Sequence, residues 1–357
     1  MMLLKQRLIV GLLTCAMLPC FLNGCGGNAA NTNQQPTNST KNETEDTYKL
    51  TVAVGFNEDQ PAAFGLKKFK EDVEAKSDGK ISVELFFNGI MGGDTEITDA
   101  VIQGNITMGV PGVSPMGSYV KELTAIDTPF LFSSVEQARA TLDSDVGQEM
   151  LDAMSKVGLK GLAFWENGGF RNLTCNKEVH TVSDLKGLKI RVVQSDLHVA
   201  LWTALGANPA PLSYSELYTA LQQKAFDCQE NSLSNIQSSK FYEVQKYIIN
   251  TKHVYAALAC FINEDFWNSL PAEYQELIQT SVKECNEYSR KLTSEQEIKI
   301  HEFLEDYGTV FIDLSEDELE TFRACMDEVY EDIAKTTGED FFERFCNTAR
   351  ELEKNGI

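Results

Sequence analysis

Positive charge is scarce in this sequence. Lysine and arginine together number 31 against 53 aspartates and glutamates, which leaves a formal charge of −22 over 357 residues. A nucleic-acid partner needs a basic face to neutralise its phosphates, so that class is excluded. Loose electrostatic docking on anionic lipid is excluded on the same ground. The average field would also repel a small anion, so a site for one must carry its own positive charge. Histidine is nearly as rare: His180, His198, His253 and His301 are widely separated, and none stands in an H-E-x-x-H spacing. The G-x-S-x-G, G-x-x-x-x-G-K-[ST] and dinucleotide fingerprints are missing too. Acidic neighbours such as Asp227 and Glu230 suit glycosidase chemistry, but in a chain with 53 carboxylates such pairs arise by chance. An enzyme is therefore not expected, nor any cofactor or metal. After Cys25 six cysteines follow (Cys175, Cys228, Cys260, Cys285, Cys325 and Cys346) with no C-x-x-C among them, which removes a zinc cluster and a redox motif. Scattered free thiols are the simpler expectation.

What is present begins with an export signal. Lys5 and Arg7 precede an apolar run from Leu8 to Leu22, which is short for a membrane span. The run ends in "LNGC", which resembles a bacterial lipobox and implies cleavage before Cys25 and acylation of its thiol. Residues 1–24 are expected to be a lipoprotein signal peptide, and the mature protein to sit outside the cytoplasm, held to the membrane only by lipid. Residues 26–46, "GGNAANTNQQPTNSTKNETED", have almost no apolar side chains and read as the tether that follows the lipidated cysteine.

The folded part starts near Tyr48. Roughly 310 residues is long for one core and predicts two lobes. "YKLTVAV" alternates as a strand, "AAFGLKKFKEDVEAKSDG" has helical spacing closed by Gly79, and "KISVELFF" is the next strand. "EITDAVIQG" and "ITMGVPG" repeat the order, which is that of an α/β lobe with a largely parallel sheet. In "KGLKIRVV" the residues Leu188, Ile190 and Val192 share one face and Lys189 and Arg191 the other, so Arg191 is predicted to face solvent or a cleft. From Pro271 to about Tyr307 the sequence is helical without a break, with Leu277, Ile278, Val282, Leu292, Ile298, Ile300 and Phe303 as its apolar positions. A helix of about 37 residues spans roughly 55 Å, enough to bridge two lobes.

One constellation carries chemistry. Trp165, Arg171 and Arg191 precede a polar stretch from Pro211 to Ile248 that holds Tyr214 and Asn231. A guanidinium offers a planar two-pronged donor set that matches a carboxylate, and an asparagine both donates and accepts. Tyr214 brings an apolar ring and a polar tip. The same arginines would serve equally well in structural ion pairs with the abundant carboxylates.

"WENGGFRNLTCNKEVHTVSDLKGLKIRV", "ALGANPAPLSYSELYTALQQKAFDCQEN" and "KFYEVQKY" resemble the solute-binding proteins of tripartite ATP-independent periplasmic (TRAP) transporters, the DctP type. "KSDGKISVELFFNGIMGGDTE" and "LTAIDTPFLF" resemble that family's first lobe. The resemblance implies an α/β, two-lobed periplasmic-binding-protein-like fold, with crossing strands and a long helix bridging both lobes, that closes on an organic acid and delivers it to the TRAP membrane permease. It implies lobe I at 47–168 with part of 257–296, and lobe II at 169–256 with the C-terminal 297–357. Arg191 would salt-bridge the ligand carboxylate, Arg171 would be a second contact, and Asn231 and Tyr214 would line the pocket. Asp94 and Glu96 fall near a segment that supplies polar contacts in some members. Cys228 and Ser232 replace a usual glycine and proline, and "RVV" replaces "RVP". Arg171 together with Asn167, Gln194 and Ser195 points to hydroxyl-rich acids such as hexuronates. C4-dicarboxylates, with the second arginine on the second carboxylate, are the alternative; a secreted hydrolase or an adhesive or scaffolding lipoprotein is the alternative of another class.

Overall fold

The computed structural model describes residues 47–357. The expected signal peptide, Cys25 and the tether lie outside them. Nine strands form one sheet: β1 (Tyr48–Ala53), β2 (Ile81–Phe86), β3 (Met108–Gly109), β4 (Leu159–Cys175), β5 (Lys189–Val192), β6 (Asn208–Pro211), β7 (Cys228–Asn231), β8 (Tyr247–Asn263) and β9 (Val310–Ile312). Their order is β2-β1-β3-β8-β4-β7-β5-β6, with β9 on the free side of β8. At one end β2, β1 and β3 are parallel, and at the other β7, β5 and β6 are parallel. The expectation of parallel α/β units holds within each half. The two middle strands, β4 and β8, run antiparallel to each other over 17 residues each.

These long strands join the halves. The C-terminal end of β8 pairs with β3 and its N-terminal end with β9, while the C-terminal end of β4 pairs with β7. Their mutual register breaks between Glu166 and Phe170, where Gly168 and Gly169 adopt φ of 81° and 82°. A Cβ on Gly168 would also meet the Ser234 hydroxyl oxygen at 1.9 Å, so both backbone sign and space require glycine there. This irregularity lies in the middle of β4, beside Asn167 and Arg171.

Apolar side chains fill four clusters, two around each set of parallel strands. The long helix, Ala272–Tyr307, has 36 residues. It packs on the helix Pro61–Lys76 of the first half, on β4, and on the helix Leu233–Ser238 of the second. Ile278, Val282 and Ile300 are buried as expected, but Ile298 and Phe303 are exposed. Ile298 lies two residues from Ile300, about 200° around a helix, so the two cannot share one face. The last helix, Glu339–Lys354, places Phe341, Phe345 and Ala349 in a cluster with Ile97 and Val101 of the first half. No described helix is long and apolar enough to cross a membrane.

Candidate functional site

Alternation along β5 decides the fate of its arginine. Leu188, Ile190 and Val192 join an apolar cluster on one face, and Arg191 points from the other into a cavity between the halves. The cavity holds about 50 Å³, room for several waters at about 10–15 Å³ each. Asp94, Asn167, Arg171, Arg191, Gln194, Tyr214 and Asn231 all line it. Seven of the eight residues expected there are thus brought together from positions up to 137 apart in sequence. Glu96 is the exception. It is exposed and does not line the cavity, because two residues along a helix turn the side chain by about 200° from Asp94.

The two arginines have opposite surroundings. Arg191 is 2 % exposed. Its Nε and Nη2 donate to the Leu212 carbonyl at 2.8 and 2.5 Å, and its Nη1 is buried without a hydrogen-bond partner. Among the described residues no carboxylate lies in ion-pair contact with it. Burial lowers its pKa to about 10, with the Arg171 charge adding to the effect and Glu230, Tyr214 and Asp94 opposing it. The guanidinium remains charged at neutral pH, so this is a buried cation on the cavity wall, held by one carbonyl and with one donor group unused.

Arg171, on β4 just past the bulge, is already paired. Its Nε donates to one carboxylate oxygen of Glu230 and its Nη2 to the other at 2.8 Å and to the Glu230 carbonyl at 2.8 Å. The antiparallel register of β4 and β7 puts Leu173 opposite Glu230, so this pairing is built into the sheet. Burial alone would lower the guanidinium pKa and raise the carboxyl's, but their mutual attraction wins: Arg171 is raised and Glu230 is held well below its ordinary range. Arg171, expected as a second ligand contact, borders the cavity with its charge answered by Glu230.

Glu230 anchors more than one base. His253 Nε2 lies 3.1 Å from it, and His198 sits with its ring nitrogens 3.5 Å from Glu230 and 3.3 Å from Asp127. Burial pushes His253 down, so Nε2 carries the hydrogen toward Glu230 and Nδ1 accepts from the Thr251 hydroxyl at 2.8 Å. Burial also opposes the charged form of His198, but the two carboxylates outweigh it and raise its pKa to about 9. Two cations thus face two carboxylates in a cluster closed to solvent.

Neutral donors and acceptors line the rest. Asn235, which sequence reasoning missed, donates to the Asn167 and Asn231 side-chain oxygens, both at 3.2 Å. Its signal was a spacing of four from Asn231 across a strand end and the first turn of a helix. Asn231 in turn donates to Gln229 at 2.7 Å, leaving it a second N–H. Tyr214 packs its ring on Phe241 and binds Ser239 through its hydroxyl at 2.5 Å; burial raises its pKa to about 12. Gln194 is exposed at the rim and also lines an adjoining groove. Gln60, ahead of the helix Pro61–Lys76, donates to Asn235 and Ser238 at 2.8 Å each, and Asn57 donates to Ser239 at 3.0 Å. These three bonds tie the two halves together beside the cavity.

Asp94 opens the helix Asp94–Ile102 on the far wall. Its two carboxylate oxygens sit against Gly55 and Gly112, each 3.0 Å from where a Cβ would stand. Burial raises its pKa; the Gly112 N–H and the charges of Arg191 and Arg171 oppose the shift without cancelling it.

The family model for "Bacterial extracellular solute-binding protein, family 7" (DctP) matches residues 53–337. The 2,3-diketo-L-gulonate-binding periplasmic protein YiaO of Escherichia coli (strain K12) is 34 % identical over 247 residues, 69 % of this chain and 75 % of that protein. The crystal structure of the sugar acid binding protein DctPAm from Advenella mimigardefordensis strain DPN7T in complex with galactonate superposes with a TM-score of 0.83 at 30 % identity, covering 86 % of this chain and 99 % of the other. A TRAP periplasmic solute-binding protein from Shewanella oneidensis with bound succinate gives a TM-score of 0.82 at 30 % identity, over 85 % of this chain and 99 % of that one. Such proteins bind a solute for a transporter rather than transform it. The chain belongs to the family 7 extracellular solute-binding proteins that serve TRAP transporters.

Proposed function

We propose that the protein is a lipid-anchored receptor, tethered through Cys25, that captures a sugar acid such as a hexuronate in the inter-lobe cavity and hands it to a TRAP membrane permease. The observation that carries this reading is Arg191, buried on the cavity wall with its Nη1 unpaired. An uncompensated buried cation is costly, and a ligand carboxylate that fills the vacancy stabilises the closed form over the open one. Excluding water strengthens that ion pair, because the local dielectric falls as the halves close. Asn167, Asn231, Asn235 and Tyr214 supply the neutral partners that hydroxyl groups require.

The C4-dicarboxylate reading needs a second available cation, and Glu230 has taken the charge of Arg171. The galactonate complex of the similar Advenella protein favours the sugar acid, while the succinate complex of the Shewanella protein shows that the fold accommodates both. A secreted hydrolase would consume sugar acids, and the receptor should return them intact. Calorimetry with galactonate and galacturonate should give dissociation constants near micromolar, about −8 kcal/mol. Arg191→Lys should weaken binding about 100-fold, because an ammonium cannot reproduce the planar paired bonds. Unchanged affinity in that variant would remove Arg191 from the site.

A further inference from the structure

We propose that Cys175 and Cys228 form a disulfide in the exported protein, closing a covalent loop around one wall of the cavity. All six described cysteines carry free thiols in this structure, and these two stand opposite each other. Cys175 is the last residue of β4 and Cys228 the first of β7, and the antiparallel register pairs them directly. One residue further out, the Asn176 N–H donates to the Asp227 carbonyl at 3.4 Å. Hydrogen-bonded and non-hydrogen-bonded pairs alternate along an antiparallel ladder, so the two cysteines occupy a non-hydrogen-bonded site, the kind whose side chains come closest. The usual Cα separation at such a site, about 4.5 Å, falls inside the span of about 4.4–6.8 Å that a disulfide bridges. Both side chains enter the same apolar cluster. Their thiols are in hydrogen-bond contact, which holds Cys175 below a thiol's ordinary range and pushes Cys228 above it. No other two described cysteines share a strand register: Cys260 stands opposite Ala163, and Cys285, Cys325 and Cys346 lie outside the strands.

The family is extracellular, and disulfides persist outside the cytoplasm. The bond forms by exchange with a disulfide-bearing oxidant. The Cys175 thiolate attacks one sulfur of the oxidant and releases the other as a thiolate; Cys228 then gives up its proton, attacks Sγ of Cys175 and releases the second half. Two thiols are oxidised to one Sγ–Sγ bond, and the oxidant is reduced to two thiols that take up the two protons. The cysteines are 53 positions apart, and the segment between them carries Arg191, Gln194 and Tyr214. A bond at its ends removes freedom chiefly from the unfolded chain, so it stabilises the half that holds these residues.

The chain, exported with its own signal and purified without reductant, is denatured with an alkylating agent present, digested and mapped by mass spectrometry. The peptides of Cys175 and Cys228 should be joined and lighter by two hydrogen atoms than their sum, with Cys260, Cys285, Cys325 and Cys346 alkylated. Alkylation of both Cys175 and Cys228, or a bond from either to another cysteine, overturns the proposal; this measurement needs no variant. Reduction in denaturant and refolding with reductant should lower the melting temperature by about 5–10 °C. Cys228→Ser should melt at the same temperature with and without reductant, while Cys325→Ser should keep the wild-type difference. A wild-type melting temperature that ignores reduction of a mapped bond overturns its part as a staple. None of these outcomes depends on which solute the cavity takes.

Discussion

The two arginines of the cavity are the same residue type, twenty positions apart, and the fold treats them in opposite ways. Arg171 is held by both oxygens of Glu230, which His253 and His198 also face, His198 lying between Glu230 and Asp127. Arg191 has a backbone carbonyl and an empty donor. The first is part of the structure's own charge balance, and the second is an imbalance that a ligand can correct. Burial alone does not distinguish a binding cation from a structural one; a carboxylate in ion-pair contact does.

That contrast can be broken most forcefully at Glu230. Glu230→Gln would strand Arg171 as a buried charge and should destabilise the protein by about 3–5 kcal/mol in urea unfolding. Arg191→Lys should by contrast spend its effect on affinity and leave the unfolding midpoint of the empty protein close to that of wild type. A loss below about 1 kcal/mol at Glu230 would mean that Arg171 does not depend on its partner, and the two arginines would no longer differ in kind.

pH sharpens the comparison with a smaller effect. His198 has a folded pKa of about 9 against an ordinary 6.5. Its stabilising contribution is therefore complete below about 6.5 and fades as pH rises through about 9. His253, pushed down by burial, acts in reverse: its contribution is present above about 6.5 and is lost on acidification. Glu230, depressed well below 4.5, loses its share only in strong acid. Melting temperatures of the empty protein should decline between pH 6.5 and 9, and His198→Gln should flatten that decline. Parallel curves for the two proteins would place the charge of His198 elsewhere.

The smallest expected effect lies where Gln60 meets the second half. Gln60 joins the halves through two neutral hydrogen bonds, worth about 1 kcal/mol net. Gln60→Ala should speed ligand release about fivefold in stopped-flow, with little change in the association rate. An unaltered release rate would show that these bonds do not hold the closed state.

Much of the site could be read from residue order, and the limits of that reading are physical. Strand alternation put Arg191 opposite its apolar neighbours, because side chains on a strand repeat every two residues. The helix Ala272–Tyr307 followed from an unbroken pattern, yet Ile298 and Phe303 were misplaced because apolar character says nothing of which face meets a partner. Asn235 and Gln60 were missed because neither carries charge and each gains meaning from a contact made across the cavity. Glu96 was included with Asp94 because both fall near a segment that supplies polar contacts in some family members, whereas a helix separates two such residues in space.

Order along the chain by itself determined the α/β elements, the long helix, the excess of negative charge and the need for a local cation wherever an anion is to bind. Those properties are local or additive. Only the tertiary structure decided that Glu230, 59 residues from Arg171, would pair with it and that, among the described residues, no carboxylate would come into ion-pair contact with Arg191. Pairing between distant strands and the exclusion of water are set by how the sheet assembles, and a carboxylate count cannot say which of 53 lands beside which arginine.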